Sequence, residues 1–90
     1  MLSKISSFIC PVCGYPDLDE AAYDSYGCAT YNICPCCGTE FGYDDSEISH
    51  FSLRQRWITN GMKWWSEHLP PPDNWSPIQQ LKDAQLKGSE

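Results

Sequence analysis

A five-residue pattern occurs twice in this chain and constrains its fold more than any other feature. Cys10-Pro11-Val12-Cys13-Gly14 and Cys34-Pro35-Cys36-Cys37-Gly38 both read C-P-x-C-G. Two residues between cysteines let a tight turn aim both sulfurs at one point, and two such turns facing each other form a tetrahedral metal site. Proline stiffens each turn, and glycine permits a positive φ after the second cysteine. The repeat predicts one metal site whose ligands are Cys10, Cys13, Cys34 and Cys37.

The length of the chain favours such a cross-link. Ninety residues suit one domain, and a core of that size is only marginally stable on its own. The six cysteines could form disulfides or bind metal. The first ten residues lack the apolar run of a secretory signal, and no segment has membrane-spanning length, so we expect a cytoplasmic protein without a membrane partner. Thiols stay reduced in the cytoplasm, which favours metal binding.

Two cysteines and two histidines fall outside the repeat. We expect Cys28 and Cys36 to be small buried apolar residues, with an oxidisable pair or a second metal site as the alternative. His50 and His68 lack ligand spacing, so we expect solvated or helix-capping roles for them. Four thiolates without an exchangeable position describe a structural site, and the predicted cofactor is one structural zinc ion. Iron fits the same ligands and is the alternative.

The two C-P-x-C-G turns, called knuckle 1 (residues 10–14) and knuckle 2 (residues 34–38) below, resemble those of rubredoxins and zinc ribbons over about the first half of the chain. A closer resemblance is to a bacterial cysteine-rich family named for its CPCC motif. It is carried by Cys34-Pro35-Cys36-Cys37 and the following Phe41-Gly42-Tyr43-Asp44-Asp45. The resemblance implies a metal-binding fold and no particular activity.

The second half of the chain changes to helical patterns. Ser52 and Gln55 form a capping-box signal, and the first helix should begin near Ser49 or Ser52 and end at Asn60-Gly61. The acids just before it should favour its dipole: Asp44, Asp45 and Glu47.

Two shorter helices are predicted farther along. One is expected from Met62 to Glu67, ending before the prolines at 70–72. The other should begin at Ser76-Pro77 and place Ile78 and Leu81 on one face. The whole is predicted to be one small α+β metal-stapled domain over residues 1–90. It comprises a zinc ribbon (1–45), a helical extension packed on it through tryptophans (46–87) and a polar tail (88–90).

Charge and aromatic content indicate the kind of partner. The net charge is −6, and four metal-bound thiolates would make it more negative, so nucleic acid is an unfavourable partner. Neither a nucleophile motif nor a phosphate loop is present, which argues against an enzyme. An exposed tryptophan near arginine is typical of a protein-binding surface. Its predicted residues are Trp64, Trp65, Arg54 and Arg56.

These observations predict a structural-zinc module that binds a protein partner. Two alternatives stay open. One is electron transfer by iron of the rubredoxin type. The other is neutralisation of a basic toxin by a small acidic protein.

Overall fold

The computed structural model describes residues 8–87. Within them lie two helices, α1 (His50–Thr59) and α2 (Pro77–Asp83). Strand pairing in the same range is limited to three isolated antiparallel bridges: Phe8 with Leu18, Tyr23 with Ala29, and Ile33 with Glu40. With so little strand pairing, the zinc-ribbon architecture is not confirmed. The structure does confirm a compact domain with two helices and four cysteines close together. The polar tail predicted at 88–90 lies outside the described residues.

The bridges show how the first half is organised. The first encloses knuckle 1 and the third encloses knuckle 2, so each knuckle is the tip of a very short hairpin. The middle bridge lies in the segment between the knuckles, where the Asp24 carboxylate accepts hydrogen bonds from the N–H groups of Tyr26 (2.8 Å) and Cys28 (3.0 Å). This side-chain-closed turn takes the place of a longer strand pairing.

Helix α1 follows its predicted signals at both ends. The hydroxyl of Ser49 accepts a hydrogen bond from the N–H of Ser52 at 3.0 Å, so Ser49 is the N-cap. The predicted cap at Ser52 is wrong because that residue lies inside the first turn. The helix stops where predicted: Asn60 is the C-cap, and Gly61 has a φ of 99°.

The helix predicted from Met62 to Glu67 is wrong. The segment has no helical turn, and it begins with Met62 in the left-handed region, at a φ of 52°. Its backbone amides are used by knuckle 2 instead: the N–H of Trp65 donates to the carbonyl of Cys36, and that of Ser66 donates to the carbonyl of Pro35, both at 2.9 Å. A helix would have consumed these donors internally and left two knuckle carbonyls without them.

Helix α2 starts as predicted but buries a different face. Ser76 is the N-cap, Pro77 is the first helical residue, and the Ser76 hydroxyl accepts from the N–H of Gln79 at 3.2 Å. Ile78 and Leu81 were expected to share one face, yet Ile78 is 55% exposed and Leu81 only 7%. The buried residues of the helix are Gln80 and Leu81, because the Gln80 amide bonds to knuckle 1.

The core is built around the cysteines themselves. Four cysteines, Val12 and Phe41 are the largest fully buried side chains in the described part of the chain, and Trp57 of α1 and Leu81 of α2 pack onto the same cluster. Tryptophans therefore do help to join the helices to the cysteine-rich half, as predicted. None of the helices in residues 8–87 has the length and apolar character needed to cross a bilayer.

Candidate metal centre

The two knuckles have the same backbone geometry. In knuckle 1 the N–H of Cys10 donates to Tyr15 at 2.8 Å, and that of Gly14 donates to Cys10 at 2.9 Å. The equivalent bonds of knuckle 2 run from Cys34 to Thr39 at 3.0 Å and from Gly38 to Cys34 at 2.8 Å. Gly14 and Gly38 both have positive φ, at 87° and 81°, as the sequence predicts. The two C-P-x-C-G repeats thus form the same turn.

These turns bring four sulfurs to one point. The Sγ atoms of Cys10 and Cys37 are 3.8 Å apart, those of Cys13 and Cys34 are 3.7 Å apart, and all four lie within 4.8 Å of one another. Four sulfurs arranged tetrahedrally around an ion at about 2.3 Å lie about 3.8 Å from each other. The donor set and its spacing therefore fit one tetrahedral metal ion, and the four cysteines could hold one.

The electrostatics of the cluster call for a cation. The Cys10 thiol, and then the other neighbouring thiols, raise the pKa of Cys13. Cys10 and Cys37, together with burial, raise the pKa of Cys34, although its contact with Cys13 acts in the opposite direction. Hydrogen bonds from Cys10, the other two cysteines and the Thr39 hydroxyl lower the pKa of Cys37, which would carry the negative charge. Four thiolates cannot coexist at this distance without a compensating charge, and a divalent cation supplies it.

Further groups contact the sulfurs of this region. The N–H of Val12 donates to Cys10 Sγ at 3.4 Å, and Thr39 Oγ1 lies 3.2 Å from Cys37 Sγ. Cys10, Cys13 and Cys34 are fully buried, whereas Cys37 is half-buried and faces a groove. The site is thus enclosed on three corners and reaches the surface at the fourth.

The two remaining cysteines differ from each other. Cys36 is fully buried, as predicted, and takes the position that Val12 occupies in knuckle 1; its Sγ accepts a hydrogen bond from Gln80 Nε2 at 3.4 Å. The prediction of a buried Cys28 is wrong, because Cys28 is exposed. Its N–H bonds to Asp24 within an exposed turn, which carries the side chain outward. The two thiols therefore occupy different environments, one in the core and one at the surface.

The acids before α1 form a cluster that the sequence did not reveal. Asp45 accepts from the hydroxyl of Tyr23, from His50 Nε2 at 2.7 Å and from the N–H of Gly42 at 2.6 Å. Burial alone would raise the pKa of Asp45, but these hydrogen bonds lower it overall. The hydrogen bond to Asp45 raises the pKa of Tyr23 to about 12.

The acids lie before α1, as the sequence has them, and a favourable effect on the helix dipole stays a prediction. What the structure adds is that the side-chain bonds of Asp45 tie Tyr23 and the first residue of α1, His50, to the loop before the helix. Asp44 accepts from the N–H of Glu40 at 2.8 Å, which closes the loop after knuckle 2. His50, predicted to be solvated or capping, is the pair of Asp45, while His68 is exposed as expected.

Two of the four predicted partner-binding residues make contacts within the domain. Arg54 is only 6% exposed, and its guanidinium donates to the carbonyls of Val12 (Nε, 2.7 Å), Pro11 (Nη2, 2.9 Å) and Lys87 (Nη1, 3.1 Å). Trp64 is half-buried, with its ring edge-to-face between Tyr15 and Trp75, at centroid distances of 5.5 and 5.3 Å. The predicted place of Arg54 on a binding surface is wrong, because its side chain is buried and bonded within the domain. Trp64 packs within the domain and also lines the groove described next.

The other two predicted residues lie beside a groove. Arg56 is exposed, and Trp65 is 55% exposed, with its indole resting on Gly38 of knuckle 2. The groove has a volume of about 470 Å³ and is closed on one side by α1 and on the other by the segment after it. Its lining includes Cys37 and Gly38 of knuckle 2, the aromatic residues Trp57, Trp64 and Trp65, and three charged residues, the cations Arg56 and Lys63 and the acid Asp44.

Sequence reasoning missed Gln80. This buried side chain donates to the carbonyl of Cys13 at 3.0 Å and to Cys36 Sγ, and it accepts from Trp75 Nε1 at 2.8 Å. Its position on a short amphipathic helix carries no signal that distinguishes it from the exposed Gln79. A polar residue is buried here because it donates to the Cys13 carbonyl of knuckle 1, a contact that only the three-dimensional structure reveals.

Comparisons with known proteins find two similar proteins and identify no function. No family model matches the chain, so the resemblance to the CPCC family stays a prediction. The chain is similar to two proteins of Bacillus subtilis (strain 168). "Uncharacterized protein YozI" is 33% identical over 62% of this chain and 60% of that protein, and "Uncharacterized protein YoaQ" is 31% identical over 61% and 60%. The chain thus spans about 60% of the length of these relatives. No solved structure matches.

Proposed function

We propose that this protein folds around one structural zinc ion and binds a protein partner through the groove beside knuckle 2. The observation that carries the proposal is the convergence of four cysteine sulfurs at tetrahedral spacing. The four thiolates would fill every position around the ion, which is the arrangement of a structural site. When bound, the ion supplies charge compensation for the sulfurs and a cross-link between the two halves of the cysteine-rich region.

The composition of the core supports a structural role for the ion. Cysteines occupy its centre, and within residues 8–87 two short helices, of ten and seven residues, pack on it. Binding free energy of about 10 kcal/mol or more is available from such a site, and in a domain of this size it is folding energy. The metal-free chain would have to bury mutually repelling thiolates or protonate them.

The groove supports the choice of partner. Its two cations, Arg56 and Lys63, outnumber its one acid, Asp44, whose carboxylate already accepts the N–H of Glu40, while the chain as a whole has a net charge of −6. An overall acidic protein that gathers cations at one aromatic groove is complementary to an acidic peptide segment. We therefore assign the groove to a short acidic segment of another protein. Knuckle 2 forms one wall, so the bound ion would also fix the shape of the groove.

Electron transfer by iron is the second candidate. One observation favours it: Cys37 is half-buried and lines the groove, so one corner of the site lies close to a docking surface. Elemental analysis and native mass of the purified protein separate the two. Zinc in a ratio of one per chain supports the first proposal, whereas iron with visible absorption in the oxidised form supports the second. Absence of both metals contradicts both.

The partner proposal has its own test. Displayed random peptides are selected on the metal-loaded protein and on variants that reverse one charge each. We expect enriched peptides to be acidic and to lose binding to Arg56→Glu and Lys63→Glu. Lys82→Glu is the matched control, because Lys82 is an exposed cation on α2 and does not line the groove. Selection of peptides without acids, or an equal loss with Lys82→Glu, would contradict the proposal.

A further inference from the structure

Equivalent carbonyls of the two knuckles are held by different kinds of donor. In knuckle 2 the carbonyls of Pro35 and Cys36 accept from the backbone N–H groups of Ser66 and Trp65, both at 2.9 Å. The corresponding carbonyls of knuckle 1, those of Pro11 and Val12, both accept from the single guanidinium of Arg54. The turns match in sequence and geometry, but these carbonyls accept from a charged donor in knuckle 1 and from neutral backbone donors in knuckle 2.

The guanidinium is linked to a sulfur through one peptide group. The peptide between Pro11 and Val12 presents its carbonyl to Arg54 Nη2 at 2.9 Å, and its N–H donates to Cys10 Sγ at 3.4 Å. The carbonyl and the N–H of a trans peptide point in opposite directions. Arg54 on the outer side and the Cys10 sulfur on the inner side therefore polarise the same peptide dipole in the same direction. Hydrogen bonds joined in this way strengthen one another.

Charge adds to this orientation. Four thiolates and a divalent ion carry two net negative charges, and Arg54 is a buried cation next to the knuckle that supplies two of those thiolates. The guanidinium is fixed by its hydrogen bonds to Pro11 and Val12, so its positive charge offsets part of this negative charge from outside the knuckle.

We propose that Arg54 is a positioning residue of the metal centre, which orients and polarises the knuckle 1 peptides from outside and thereby strengthens metal binding by Cys10 and Cys13. The proposal rests on the metal site proposed above. It gives the helical half of the chain a second task besides packing, because α1 supplies the charge that the cysteine-rich half lacks on this side.

Cobalt(II) alone is the probe, because its bonds to thiolates absorb light and report on each sulfur. Cobalt affinity, measured against a competing chelator, and the energy of the sulfur-to-cobalt charge-transfer band are compared among the wild type, Arg54→Gln and Arg54→Lys. We expect Arg54→Gln to bind about tenfold to 100-fold more weakly, as for other outer partners of metal ligands. Its band should move to lower energy, because a less hydrogen-bonded thiolate gives up charge more easily.

Two controls separate positioning from general stability. Lys82→Gln removes the same charge from an exposed site on α2, outside the groove, and should leave both quantities unchanged. Leu81→Ala weakens the core at a side chain that cannot hydrogen-bond, so it should lower apparent affinity without moving the band. If Arg54→Gln behaves like either control, the proposal is wrong.

The lysine variant keeps the test decisive if Arg54→Gln does not fold. Lysine retains the charge but cannot hold both carbonyls, so we expect an intermediate affinity and a smaller band shift. Wild-type values for both quantities in Arg54→Lys would overturn the proposal. Failure of the wild type to bind cobalt with tetrahedral thiolate absorption is a different result, because it removes the metal site itself.

Discussion

Replacing Gly38 with alanine should destabilise the domain more than the same change at Gly27, although both glycines have a φ of 81°. The left-handed backbone costs alanine about 1–2 kcal/mol at either position. A Cβ on Gly27 would meet nothing within 4 Å, whereas one on Gly38 would lie 2.5 Å from the Trp65 ring. Gly27→Ala therefore measures the backbone term alone.

The additional cost at Gly38 comes from displacing Trp65. An aromatic side chain covers about 150–250 Å², and Trp65 is 55% exposed, so the remaining buried part is about 70–110 Å². At about 25 cal/mol per Å², loss of that contact costs at most about 2–3 kcal/mol. We expect a total of about 3–5 kcal/mol for Gly38→Ala against about 1–2 kcal/mol for Gly27→Ala.

Urea denaturation at a fixed free zinc concentration measures both changes. A double-mutant cycle then isolates the cause: in a Trp65→Ala background the excess cost of Gly38→Ala over Gly27→Ala should disappear. Equal costs for the two glycine variants in the wild-type background would refute the packing of Trp65 on knuckle 2. Persistence of the excess without Trp65 would show that another contact is responsible.

Three further predictions follow from the site. Cys36→Val should fold and bind one metal ion, because valine fills the same position in knuckle 1, whereas Cys37→Ser should lose most metal affinity; elemental analysis of both variants checks this. Gln80→Leu should cost about 1–3 kcal/mol in urea denaturation, because the Cys13 carbonyl loses its donor, while the exposed Gln79→Leu should be nearly neutral. The raised pKa of Tyr23 means that its contribution to stability is present below pH 10 and lost as the pH rises to about 12. Tyr23→Phe should remove this alkaline loss and the last step of a tyrosine absorbance titration, and an unchanged last step would contradict the Asp45 contact.

Features determined within a few residues were predictable from sequence. The ligand spacing, the proline and the glycine define each knuckle locally, so the convergence of Cys10 with Cys13, and of Cys34 with Cys37, needed only the repeat. The burial of Cys36 followed from its alignment with Val12. The ends of α1 and the start of α2 were likewise local, because caps act within one turn.

Features that depend on hydrogen bonds to backbone carbonyls far away in the chain were not predictable from sequence. Residues 62–67 have a composition typical of a helix. Two of their backbone N–H groups instead donate to the carbonyls of Pro35 and Cys36, about 30 residues earlier in the chain. Arg54 was assigned to a binding surface because an exposed tryptophan near arginine is typical of one, yet its guanidinium is buried and hydrogen-bonded to three carbonyls. The Tyr23, Asp45 and His50 contact joins separate segments and leaves no periodic signal.

The most direct test of the central claim is a count of reactive thiols before and after metal removal. The purified, zinc-loaded protein is treated with a thiol reagent under native conditions, with and without a strong chelator. We expect one fast-reacting thiol, the exposed Cys28, in the loaded protein and all six after chelation, together with loss of folded structure. If several thiols react at once in the loaded protein, or if chelation leaves their number and the fold unchanged, the four-cysteine metal centre is contradicted.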